Sequence, residues 1–177
     1  ISKKSNLKSI KFAKKSLSIS LNYYLDFLKN PNQNNTAAMC FAANLSGKAI
    51  SISKTTAPHA VSYPFTSLFN ISHGHAVSLT INKFLTFNYK HIKNSNCSFD
   101  LKERYNMLFK LTGSNNINQL DKYISNIKKQ ANLEDDLKKL GIDIKKNYSK
   151  IISGINLQRL SNNPIDLKKK DIKEILF

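Results

Sequence analysis

The chain has 177 residues, enough for one domain with a sizeable core or a large piece of a two-domain protein. It begins at Ile1 without a methionine, so a piece of a longer gene product is expected. No apolar run approaches the ~20 residues needed to span a bilayer, and two unpatterned cysteines make neither a disulfide framework nor a zinc finger, which points to a cytoplasmic protein.

Apolar residues at Leu7, Ile10, Leu17, Leu21, Tyr24 and Leu28, with Ala13 between them, follow helical spacing and leave lysines on the opposite face. The turn-rich NPNQNN at 30–35 breaks that helix. A second helix, TAAMCFAANLSGKAISIS at 36–53, is rich in small residues that allow close approach of a neighbour, which predicts a central, buried element. A histidine-bearing stretch follows at 55–79. HGHAVSLTINKFLTFNYKH at 73–91 reads as a helix, with enough β-branched residues to leave a strand conceivable. KNSNCS is a loop.

Asp100 with Glu103 has the wording of a capping box, and Gly113 that of a C-cap, so a helix is expected between them. Asn116 with Gln119 repeats the signature for a helix to about Gln130. LEDDLKKLGID and KKNYSKIISGINL read as two short helices, and NNPIDLKKKDIKEILF as a turn and a terminal helix. No repeat and no alternation of strands and turns is present. The fold class is all-α, one helical domain over 1–177.

Three of the four histidines fall between residues 55 and 79, and His59 and His73 are fourteen residues apart. On a straight helix that spacing is about 21 Å along the axis. Imidazoles that share an ion bind it at about 2.0–2.1 Å each, so a straight helix forbids a joint site. The sequence argues for a reversal instead. Pro64 disfavours a continuous helix at Tyr63, and FNISHG carries the turn-prone residues of a helix–helix connection. Pro58 suits a helix start, and Ser72 can cap a helix beginning at His73. A divalent ion usually takes three or four protein ligands, commonly with a carboxylate, and no Asp or Glu lies between Asp26 and Asp100. The residues alone therefore leave two readings open: half of a metal site, or ordinary core and capping histidines.

The segment AANLSGKAISISKTTAPHAVSYPFTSLFNISHGHAVSLT resembles the metal-binding domain of the iron-containing (group III) alcohol dehydrogenases. Its KTTAPHA, SYP and HGHAV wording is most similar to the phosphonoacetaldehyde reductase-like branch, and LGID, LQRLSNNP and DIKEIL continue the pattern to the C-terminus. The resemblance implies the C-terminal helical domain of the dehydroquinate synthase-like fold. It implies a partner in cis, an N-terminal α/β domain with a Gly-rich loop for NAD(P)H, and Fe2+ or Zn2+ between the two. Such enzymes hold the metal with an Asp and usually a His four residues apart on an early helix, plus two later histidines. The later two map onto His59 and His73, and the early pair is outside this chain. Some members carry a further His where this chain has Tyr63.

The implied reaction is hydride transfer between NAD(P)H and a small aldehyde, with phosphonoacetaldehyde one candidate, in an enzyme that can be a homo-oligomer. The fragment alone, without the nucleotide loop, is expected to be inactive. His75 and Tyr63 are candidates for the substrate pocket or for supporting the ligands. Lys54, Thr55 and Thr56 precede a helix and could receive an anionic substrate group, with plain capping by the threonines as the alternative. His91 and both cysteines are read as structural or incidental. Two other functions compete. One is a catalytically inactive remnant, favoured by Lys168, Lys169 and Lys170 at a helix start, where the dipole disfavours cations. The other is a basic nucleic-acid binder. Against it, the lysines are scattered along the chain, only Arg104 and Arg159 offer a guanidinium, and the abundance of Lys, Asn and Ile matches an AT-rich genome.

Overall fold

The computed structural model describes residues 1–177 as helices and connections with no strand. In chain order the helices are α1 (Leu7–Lys29), α2 (Gln33–Ser53), α3 (Ala57–Phe69), α4 (His73–Lys90), α5 (Leu101–Thr112), α6 (Ile117–Gln130), α7 (Ile144–Ser153), α8 (Leu157–Leu160) and α9 (Lys169–Leu176). A 3-10 turn at Ile92–Asn94 follows α4. None of the helices is long and apolar enough to cross a membrane.

The first two helices form a hairpin. Asn6 and Asn32 each accept a hydrogen bond from the backbone N–H three residues on, and Ser9 and Asn35 return one to the cap N–H. These are reciprocal caps with Ser and Asn in place of the usual acidic or Gln partner. The Ser16 hydroxyl donates to the Ala42 carbonyl at 2.7 Å, so the two helices approach through small residues. The expectation of a central, buried second helix is overturned. α2 buries only Asn35, Ala42, Leu45 and Ala49, while Phe41 is 47% exposed. Its small residues serve a close two-helix contact at the periphery, and a pair of helices has an outer face that no third element covers.

The buried centre is α3. Ala57, Ala60, Val61 and Phe65 are fully buried against α4, α7 and α8. Around this hairpin, Phe84, Tyr105, Leu120, Ile151 and Ile172 from α4, α5, α6, α7 and α9 complete one continuous core. Full burial of a side chain of this size stabilises by about 1.5–3 kcal/mol. Tyr105 satisfies its hydroxyl at the Leu85 carbonyl, 2.8 Å away, and burial pushes its ionisation far above the ordinary range.

α3 runs through Pro64, contrary to the expected break at Tyr63. Proline there cannot bond the Ala60 carbonyl four residues back. That carbonyl instead accepts the Asn156 N–H at 3.4 Å from the α7–α8 junction. Gly154 packs directly on the ring: a Cβ placed on it would stand 3.0 Å from Pro64 Cβ. Tertiary packing thus supplies the partner that the proline removed.

Other local expectations need correcting. LEDDLKKLGID makes one hydrogen-bonded turn, Leu140 N–H to Asp136 carbonyl, that stops at Gly141 in the left-handed region (φ 70°). Helix nucleation is costly, and so short a segment ends before propagation offsets it. Asp100 caps α5 through the Lys102 N–H, but no Glu103 bond completes the box. Gln119 reaches one residue further back than expected, to the Asn115 N–H. Ser72 and Thr56 occupy cap positions without a side-chain cap bond. At α9 the lysine cluster is tolerated because the Asp171 carboxylate accepts the Lys168 N–H and places a negative charge in the first turn.

Candidate metal centre

The reversal between the histidines is made by three residues. α3 ends at Asn70 in the left-handed conformation (φ 53°), a geometry Asn tolerates better than most side chains. Ile71 turns into the core, and Ser72 leads into α4. His59, in the first turn of α3, therefore faces His73, the first residue of α4. Their Nδ1 and Nε2 atoms are 3.2 Å apart, with ring centroids at 5.2 Å. The helices that carry them form the best-buried hairpin of the molecule, so the pair stands on a rigid base.

Ser62 joins the His59 backbone to the His73 ring. Its hydroxyl donates to the His59 carbonyl at 2.8 Å, which leaves the oxygen to accept from His73 Nδ1 at 3.3 Å. In that tautomer His73 Nε2 is the acceptor nitrogen and takes a hydrogen bond from His59 Nδ1–H at 3.2 Å. His59 is half-buried. Burial first, then the neighbouring His73 and Arg159, push its pKa down to about 4, so the ring is neutral at neutral pH. Neutral imidazole is the form that binds metals.

Two nitrogens bound to one ion at about 2.0–2.1 Å with near-tetrahedral angles stand about 3.3–3.4 Å apart. The observed 3.2 Å fits that separation. No group of three or more His, Cys, Asp or Glu side chains converges anywhere in the chain, so neither Asp26 nor His75 adds a third ligand here. The chain thus brings two imidazoles together at a separation compatible with two ligands and offers no carboxylate beside them.

The remaining candidates divide into three groups. Lys54, Thr55, Thr56 and His59 line a cavity of about 370 Å³ whose apolar wall includes Ile50, Val77 and Phe84. Tyr63, one helical turn after His59, tilts against His73 with centroids 5.6 Å apart and is part-exposed. His75 lies away from this cavity, its Nε2 donating to the Glu134 carbonyl at 2.7 Å and tying α4 to the 133–136 segment. Lys54, at φ 56°, turns its Nζ to the Ser51 carbonyl, 2.9 Å away. His91 stacks on Phe87 and bonds the Phe87 carbonyl, remote from the pair.

Sequence reasoning missed Arg159. Its guanidinium donates to the Thr55 hydroxyl and lies 5.4 Å from the centre of the Tyr63 ring. Asn162, three residues later, also belongs to the frame. The two N–H groups of its buried amide are shared among the Ser2 hydroxyl and the Ser53 and Thr55 carbonyls, each 2.9 Å from Nδ2, and hold the α2–α3 connection. The signal for both was the LQRLSNNP wording, whose partners lie about a hundred residues upstream.

Residues 6–177 match the family model described as "Fe-containing alcohol dehydrogenase family, C-terminal". A 48-residue stretch, 27% of the chain, is 42% identical to the phosphonoacetaldehyde reductase of Streptomyces viridochromogenes and covers 12% of it. Among solved structures, the sulfoacetaldehyde reductase of Bifidobacterium kashiwanohense in complex with NAD+ superposes with a TM-score of 0.83 at 21% identity, over 98% of this chain and 44% of that one. An archaeal halo-thermophilic Red Sea brine pool alcohol dehydrogenase superposes with a TM-score of 0.85 at 22% identity, over 98% and 45%. The chain therefore spans less than half the length of the proteins it resembles.

Proposed function

Because the chain belongs to the Fe-containing alcohol dehydrogenase family, we propose that it is the helical, metal-holding part of an NAD(P)-dependent reductase of short aldehydes. In this reading residues 1–177 work with a nucleotide-binding domain in cis, and the remaining metal ligands come from a segment outside the chain. The observation that carries it is the 3.2 Å approach of His59 Nδ1 to His73 Nε2. The two rings share one hydrogen bond in the metal-free chain, and the same separation suits two ligands of one ion once His59 carries its proton on Nε2.

His59 and His73 would hold a divalent iron or zinc ion. Once bound, such an ion supplies Lewis acidity toward an aldehyde or alcohol oxygen, while nicotinamide carries the hydride. The chain's own residues set the conditions. Ser62 holds His73 in the tautomer and orientation whose Nε2 is unprotonated, so an ion has only to replace the hydrogen bond from His59 Nδ1. Partial burial disfavours protonation of His59, so this ring is available as a neutral ligand at neutral pH. An aldehyde carrying a phosphonate or sulfonate is the favoured substrate class, as the names of two relatives suggest.

The test uses the whole protein, reconstituted with Fe2+ or Zn2+ and assayed by NAD(P)H oxidation with short aldehydes. His59→Ala and His73→Ala should each lower both bound metal and turnover by about a hundredfold or more, since even outer partners of metal ligands are worth 10–100-fold. His91→Ala should leave both near the parent value. Full metal content in both ligand variants would overturn the proposal, and so would a correctly folded, metal-loaded protein that reduces no aldehyde.

A further inference from the structure

We infer that Arg159 is the anion-recognising residue of this site and receives the charged tail of a phosphonate-, sulfonate- or carboxylate-bearing aldehyde. The inference rests on the reductase reading and assigns its substrate preference to one side chain. Arg159 is half-buried and pairs with no carboxylate: the ion pairs of the molecule are Lys3–Asp166, Lys128–Asp135 and Lys139–Glu134. One of its N–H groups is engaged by the Thr55 hydroxyl. The guanidinium lies against the Tyr63 ring, whose other neighbour is the His73 imidazole. A fork of donors is thus held one aromatic ring away from the proposed metal ligands, with most of its hydrogen-bonding capacity unspent.

Placement and chemistry both favour an oxyanion. A guanidinium offers parallel donors that match two oxygens of a phosphonate or sulfonate, and here Thr55 and Tyr63 restrict its rotation. Lys54, the cation expected from sequence, is turned onto the Ser51 carbonyl and offers a single flexible charge at an exposed position. His73, Tyr63 and Arg159 form a row along an accessible face: His73 is exposed, and Tyr63 is 37% exposed. A short molecule with its carbonyl at the histidines and its anion at the guanidinium would lie across Tyr63.

The experiment compares kcat/KM of the whole, metal-loaded enzyme for phosphonoacetaldehyde and for propionaldehyde, which is similar in size and uncharged. Arg159→Ala should lower the ratio of the two values by at least tenfold, mainly through KM for the anionic substrate. Arg159→Lys, which keeps the charge without the fork, should retain a larger share of the preference. Ethylphosphonate, which cannot be reduced, should raise the melting temperature of the parent protein and not that of Arg159→Ala. An unchanged ratio in a folded Arg159→Ala enzyme overturns the inference, as does equal ethylphosphonate stabilisation of parent and variant. If no aldehyde is reduced but ethylphosphonate binding still depends on Arg159, the reductase reading fails alone. If aldehydes are reduced without an Arg159-dependent preference for the anion, this inference fails alone.

Discussion

Asn88 on α4 and Asn163 after α8 make a reciprocal amide pair inside the molecule, 1% and 0% exposed. Asn163 Nδ2 donates to Asn88 Oδ1 at 2.8 Å and to the Ile165 carbonyl at 2.9 Å, and Asn88 Nδ2 donates back to Asn163 Oδ1 at 3.2 Å. The pair ties the 161–165 segment, and with it Arg159 and Asn162, to the helix that begins at His73. Asn163→Leu removes all three bonds and strands the whole Asn88 amide away from water. At about 1–3 kcal/mol for each stranded group (the Asn88 amide oxygen, its NH2 and the Ile165 carbonyl) the cost should be at least about 3 kcal/mol. Asn88→Leu removes two bonds, and Asn163 keeps the Ile165 carbonyl, so roughly 2–3 kcal/mol is expected. The double variant leaves only the Ile165 carbonyl without a partner and replaces the pair by two apolar side chains of the same branched shape. It should be at least about 2 kcal/mol less destabilised than the sum of the singles. Urea denaturation of the metal-free protein, followed by circular dichroism, measures all four corners of the cycle. Singles that add within about 0.5 kcal/mol, or an Asn163→Leu cost below about 1 kcal/mol, would refute the claim that this pair is a stranded-group problem rather than two local contacts.

The chain by itself, with two imidazoles and no carboxylate, should bind zinc orders of magnitude more weakly than a complete structural site, whose binding free energy is about 10–16 kcal/mol; calorimetry showing tight one-to-one binding would mean that further ligands rearrange into place. Gly154→Ala should destabilise by about 1 kcal/mol in thermal unfolding. The Cβ would meet the rigid Pro64 ring at 3.0 Å, and that strain should exceed the ~0.4–1 kcal/mol gained by restricting the unfolded chain, so a stabilised variant would contradict the packing described. For pH, His59 is depressed from 6.5 to about 4 in the folded metal-free state, so between those values the unfolded chain binds more protons. Stability should therefore rise with pH across about 4 to 6.5 and be fully present above it. His59→Gln should flatten that part of the profile, and an unchanged slope in the variant would show that the burial of His59 is not its source.

Much of this molecule was legible in its sequence for a local reason. Helical periodicity, the Asp100 and Asn116 caps and the Gly113 stop depend on residues within a turn or two, so their outcome is written in short stretches. The reversal that joins His59 to His73 was legible as well, since FNISHG carries its own turn chemistry, and Asn70 supplies the left-handed residue. Family wording singled out His59 and His73 as the proposed ligands, though two imidazoles alone were compatible with a plain core.

Only the tertiary structure decided the rest. Pro64 sits inside a helix because Asn156, ninety-two positions later, takes the carbonyl it frees. The small residues of α2 mark a peripheral hairpin and not the core, because small residues report close approach without saying how many neighbours approach. His75, beside a proposed ligand in sequence, is drawn instead to Glu134. Arg159 reaches Thr55 across 104 residues. Periodicity and caps describe which face a helix offers. What meets that face, and which cation stands unpaired beside the histidines, is settled by long-range packing that no local pattern encodes.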